Sequence, residues 1–127
     1  MTGGSARARW CVTTALLAGY WALGLGGNFC FKEGGTDPGH FVAYFVGGNL
    51  LGISSTALLM GVYARLNANL TLVLATSGAF FLQQVSFWLV YHSALTAIQA
   101  GGIVLVGVGT VLASLPARAD GTEVPEP

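Results

Sequence analysis

Acidic side chains are scarce in this chain, and their absence is localised. Of the 127 residues five are Asp or Glu, and these are Glu33, Asp37, Asp120, Glu123 and Glu126. From Pro38 to Ala119 the only permanently charged side chains are Arg65 and Arg118. Charged residues make up 8% of the chain and apolar ones 54%, whereas soluble domains are about a quarter charged. A water-soluble domain cannot cover its surface that way. A domain whose outer surface faces hydrocarbon can, so the chain reads as an integral membrane protein.

The other absences narrow the chemistry. No carboxylate falls in an apolar run, which argues against a proton-coupled carrier built on a tuned ionisable group inside the bilayer. There is no HExxH, no CxxC, no carboxylate pair and no glycine loop followed by Lys-Ser/Thr. His40 and His92 lie far apart in sequence and make a poor metal site. His92, beside Tyr91, reads as an interfacial anchor rather than a proton relay. No catalytic residue, enzymatic activity, cofactor, metal or nucleic-acid partner is expected. Cys11 and Cys30 sit near opposite ends of one apolar segment; at about 1.5 Å of rise per residue they cannot pair within a helix.

What is present is long apolar segments. A spanning helix takes about 20 mostly apolar residues, and four segments qualify: 10–31, 41–63, 70–91 and 95–115. The expected fold is all-α, a bundle of four transmembrane helices (10–115) arranged as antiparallel hairpins, with both termini on one side. Residues 1–9 form a short N-terminal segment, and 116–127, polar and proline-rich, a disordered tail. Arg7 and Arg9 before an apolar run resemble a signal peptide, but the run is long and no Ala-x-Ala-like site closes it.

Between the first two segments stands "GNFCFKEGGTDPGHF" (27–41). Gly34-Gly35 are expected to stop the first helix and Asp37-Pro38-Gly39 to reverse the chain. Lys32 and Glu33 then lie at the membrane surface, where Lys can snorkel to water. A role for Lys32 in gripping a lipid phosphate is the lesser reading. Arg7, Arg9, Arg65 and Arg118 share one side and Lys32 the other, so the positive-inside rule puts the N- and C-termini in the cytoplasm. The expected location is the cell membrane, a bacterial inner membrane, with multiple passes.

In lipid, helices associate through small residues and polar hydrogen bonds rather than through hydrophobicity. Gly48 and Gly52 form a GxxxG in the second helix, with Ser55 continuing that face. Packing within the chain and a dimer face both remain open for this motif. Asn28 lies on a small-residue stripe of the first helix, and Asn49, Gln83 and Gln84 lie inside later segments. Each of these can serve as interhelical hydrogen-bond glue or line a polar path for a substrate headgroup.

Four short helices in this order resemble the small multidrug resistance proteins and related four-helix members of the drug/metabolite transporter superfamily. The likeness covers about residues 12–114. It rests on "NFCFKEGG" closing the first helix, on the small-residue opening of the third, and on a glycine-rich fourth helix containing Gly101 and Gly107. The resemblance implies a fourth helix that dimerises, hence a homo-oligomer or a pair with a second four-helix membrane chain. It also marks departures. The membrane Glu of the drug exporters falls at Gly24 here, and their cation-site aromatics fall near Leu72 and Ala75.

Without that machinery, what the resemblance implies is a transporter or lipid-linked-metabolite flippase subunit, not a Glu-dependent proton/drug antiporter. Asn28, Lys32, Asn49, Gln83 and Gln84 are the substrate-path candidates; Gly48, Gly52, Gly101 and Gly107 are the packing or dimer candidates. The alternative is a non-transporting accessory subunit packed against a larger membrane complex.

Overall fold

The computed structural model describes residues 3–92 and 96–114. Within them the chain is all-helical: α1 (Gly3–Thr36), α2 (Phe41–Tyr63), α3 (Ala68–Tyr91) and α4 (Ala97–Ser114). The expected tail over 116–127 and part of the connection after His92 lie outside the described residues.

α1 runs past Gly34-Gly35, which were expected to end it. Gly34 is buried against α2, where an added Cβ would stand 2.9 Å from the Cβ of Tyr44. It is therefore a contact glycine inside the helix. The Thr36 hydroxyl and the Asp37 N–H both bond back to the Glu33 carbonyl, each at 2.9 Å. Pro38 ends the helix, because proline disfavours helical backbone in the residue before it. The turn is then closed by Asp37, whose Oδ1 accepts the Gly39 N–H at 3.0 Å and whose Oδ2 lies 2.8 Å from His40 Nδ1.

The starts of α3 and α4 are capped by side chains, whereas His40 ahead of α2 makes no such bond. Asn67 accepts the Asn69 N–H at 2.9 Å ahead of α3. At α4 Thr96 and Gln99 cap reciprocally: the Gln99 N–H reaches the Thr96 hydroxyl at 3.3 Å, and Gln99 Oε1 accepts the Thr96 N–H at 2.9 Å. This satisfies two donors that a helix start leaves orphaned. α3 ends on His92 in the left-handed region, φ 48°.

α1 and α2 form the closest pair. Leu16 meets Gly61, Leu58 meets Gly19, Gly27 meets the Gly48 backbone, and Phe31 covers Gly48. Partners rise along α1 as they fall along α2, which is antiparallel packing. α3 lies parallel to α1: Trp21 is seated on Gly78, and further along Phe29 meets Phe87 with ring centroids 5.1 Å apart. The Trp21 indole N–H donates to the Ala75 carbonyl at 3.2 Å. α4 makes its close backbone approach to α3 alone.

The interior is small. Leu17, Val62 and Ala75 are its buried apolar residues, while Ile98 (88% exposed), Leu105 (72%) and Val42 (71%) face outward with many others. Two helices, α2 and α3, are long and apolar enough to cross a membrane, and 17% and 6% of their apolar stretches are buried. A core helix of a soluble protein would be mostly buried. Contiguous apolar surface of this extent marks an interaction with lipid or protein.

Two substitutions test this packing. An added Cβ on Gly78 would collide with the Trp21 indole at Cζ2 and Cε2, whereas Gly52 has nothing within 4 Å. Gly78→Ala should therefore destabilise the fold by about 1–3 kcal/mol, as overpacking does, while Gly52→Ala should be near neutral in thermal unfolding of the detergent-solubilised protein. The Thr71 hydroxyl is fully buried and has no hydrogen-bond partner among the described residues. Thr71→Val should raise stability by about 1 kcal/mol by removing it, and a loss in the same assay would refute this.

Candidate functional site

Glycine is what opens a site between α1 and α2. Where Gly27 faces Gly48 the backbones touch, an added Gly27 Cβ being 3.1 Å from the Gly48 carbonyl oxygen. One turn further along, Gly24 on α1 and Gly52 on α2 face empty space. The result is a groove of about 460 Å³ walled by α1 and α2. Tyr20, Asn28, Asn49, Ser55 and Thr56 bring polar atoms to it, and Phe31, Ile53 and Leu59 supply apolar surface. Its volume is within the range of small-molecule pockets, about 300–1,000 Å³.

The polar groups in this groove differ in how far they are committed. The Ser55 and Thr56 hydroxyls both donate to the Gly52 carbonyl, at 2.8 and 3.0 Å. That keeps the bare stretch of α2 backbone satisfied and leaves the hydroxyl oxygens as acceptors. Asn49 Nδ2 donates to the Phe45 carbonyl at 2.7 Å, so its Oδ1 is the end with capacity to spare. Asn28 Nδ2 donates to Gln83 Oε1 on α3 at 3.0 Å. Asn28 therefore lines the groove and ties α1 to α3 at once.

Of the five substrate-path candidates, Asn28 and Asn49 line the groove, and Gln83 is joined to it through its bond with Asn28. Gln84 is not: it faces α4, in a separate hollow of about 290 Å³ with Gln99 and Gly102. Lys32 is not in the groove either. Its Nζ lies 5.7 Å from the centre of the Tyr91 ring, a cation–π arrangement. The Tyr91 hydroxyl donates to Glu33 Oε1 at 2.6 Å, and Phe29 and Phe87 pack around the Tyr91 ring. This cluster joins the ends of α1 and α3.

Among the packing candidates, Gly48 is a contact glycine, under Phe31. Gly52 floors the groove, and Gly101 and Gly107 on α4 have nothing within 4 Å in front of them. Sequence reasoning missed Tyr91 as the shared partner of Lys32 and Glu33, and Tyr20 as a groove residue. The helical stripe Tyr20, Gly24, Gly27, Asn28 was the available signal for Tyr20. No group of His, Cys, Asp and Glu that could hold a metal occurs among the described residues.

The Asn28–Gln83 bond can be measured directly. A double-mutant cycle with Asn28→Ala and Gln83→Ala should give a coupling of about 0.6 kcal/mol and no more than about 1.7, the span found for interhelical hydrogen bonds. Zero coupling in chemical unfolding would mean the two amides do not pair.

Comparison of the chain with known protein families, with characterised proteins and with solved structures finds no match.

Proposed function

We propose that this protein is a small multi-pass membrane transporter or lipid-flippase subunit of the drug/metabolite transporter type. In this reading all four helices cross the bilayer, with both termini in the cytoplasm. The outward-facing apolar side chains and the sorting of charge support a membrane setting: Arg9 and Arg65 mark one end of the helices, and Lys32, Glu33 and Asp37 the other. The observation that carries the reading is the groove. Polar side chains converge on one concavity, backed by the Asn28–Gln83 bond, in a surface that is otherwise apolar. A polar or lipid-linked headgroup would sit against Asn28 and Asn49 while its apolar portion stays in lipid.

No Asp, Glu, His, Lys or Arg lines the groove, so a proton-coupled cycle there would lack the carboxylate or imidazole on which such carriers are built. Movement would come from alternating exposure of the groove in an assembly of at least two chains, either a homo-oligomer or a pair with another four-helix chain. The lopsided distribution of Arg and Lys favours one fixed orientation. An antiparallel partner would therefore be a different chain with the opposite bias.

One observation favours a second reading, the accessory subunit. Gly101 and Gly109 leave bare backbone on α4 with nothing within 4 Å and border neither hollow against α3, a surface suited to another helix.

Native mass spectrometry of the protein extracted gently from its own membrane separates the two. A homodimer or a two-chain pair carrying a bound phospholipid or polyprenyl phosphate, reduced in Asn49→Leu, is the expected result. Recovery only within a large assembly, with no specific lipid, would favour the accessory subunit. Topology is checked with Gly35→Cys in a cysteine-free background, at a position with open space around it. A membrane-impermeant thiol reagent applied to intact cells should label it, and labelling only after permeabilisation would reverse the proposed orientation.

A further inference from the structure

At the opposite end of the helices from Lys32, a hollow of about 340 Å³ is lined by Arg9, Trp10 and Thr13 of α1 and by Ala64, Arg65 and Leu66 of the α2–α3 turn. Two cationic side chains from separate elements thus share one concavity. No salt bridge to either arginine occurs among the described residues. The acidic residues described are Glu33 and Asp37, and Glu33 is 24 positions along α1 from Arg9, about 36 Å at helical rise.

Arg65 is oriented: its Nη1 donates to the Gly61 carbonyl at 2.6 Å, which aims the planar group while leaving its other donors unspent. The Thr13 hydroxyl donates back to the Arg9 carbonyl at 2.9 Å, so the charged donors in the hollow are the two guanidinium groups. Two like charges in a shared hollow repel until an anion joins them. Paired guanidinium groups match the oxygens of a phosphate better than any other common anion except a carboxylate. Trp10, 62% exposed on the rim, has the amphipathic ring enriched at membrane–water boundaries.

We infer that Arg9 and Arg65 form a phosphate-binding site, separate from the α1–α2 groove, that takes the headgroup phosphate of an anionic lipid on the cytoplasmic side. The lipid source rests on the membrane reading proposed above; the phosphate chemistry does not. Arg7, two positions from Arg9, falls on the other side of α1 and does not line the hollow. It provides a control that makes the same change in charge.

The test uses the full chain in phosphatidylcholine nanodiscs doped with phosphatidylglycerol, with retained lipid read by native mass spectrometry after release. Retention of phosphatidylglycerol should fall roughly tenfold for each of Arg9→Gln and Arg65→Gln, about the worth of one hydrogen bond to a charged group, and change much less in Arg7→Gln. The double Arg→Lys variant keeps the charges that orient the chain, and it should still fall below the wild type because it lacks the planar fork. Equal retention in wild type and double Gln variant, or an equal loss in Arg7→Gln, would overturn the lipid headgroup as the ligand, and inorganic phosphate binding that does not need both arginines would overturn the site itself.

A second arm titrates the detergent-solubilised chain with inorganic phosphate. Binding that needs both arginines, with no lipid preference in the first arm, would keep the phosphate site and make a free anion its ligand. Release of the protein from membranes by alkaline carbonate would instead defeat the membrane reading, and the inorganic-phosphate arm would still decide the site.

Discussion

The close approach of Gly27 to Gly48 is the contact on which the rest of the arrangement depends. With any larger side chain at either position, α1 and α2 would separate, because Gly27 already faces the Gly48 carbonyl and Gly48 lies under the Phe31 ring. The same approach creates the groove. One turn away, Gly24 and Gly52 face no neighbour, so two helices held at contact distance by one glycine pair are left with a gap at the next. Leu58 against Gly19 and Tyr44 against Gly34 extend the packing on either side. The groove is thus a consequence of where glycines face bulky residues and where they face each other's empty space.

Much of this was legible in the sequence, for physical reasons that can be named. Uninterrupted apolar runs bounded by Gly/Pro/Asn clusters identify helices and turns, and the bounds expected for 41–63 coincide with α2. The end of α1 was misread because Gly34-Gly35 carry the composition of a helix stop. Gly34 is instead a tertiary contact for Tyr44, and nothing local to the sequence distinguishes those uses. The Thr96–Gln99 cap was legible in principle, since Thr and Gln stand three apart ahead of an apolar run.

The polar residues show a different limit. Gln83 and Gln84 are neighbours in sequence and alike in chemistry. About 100° of helical rotation separates them, so one reaches Asn28 on α1 and the other faces α4. Which one joins the groove depends on the rotation of α3 about its own axis. That rotation is held about one and a half turns earlier in α3, where Trp21 is seated on Gly78 and bonded to the Ala75 carbonyl. No periodicity in α3 alone contains this information, because it lies in the match between a tryptophan on one helix and a glycine on another.

The two ends of the helices also handle charge differently. At one end Lys32 lies against the Tyr91 ring, the Tyr91 hydroxyl holds Glu33, and His40 pairs with Asp37. Each charge there has a partner from the chain. At the other end Arg9 and Arg65 share a hollow that contains no acidic side chain. The groove between them is lined by α1 and α2 alone, and α4 closely approaches only α3. A chain docked on α4 at Gly101 and Gly109, which border neither hollow against α3, would therefore leave the groove walls untouched. Assembly through α4 and transport through the α1–α2 groove are structurally compatible, and the proposed transporter can have a partner without losing its site.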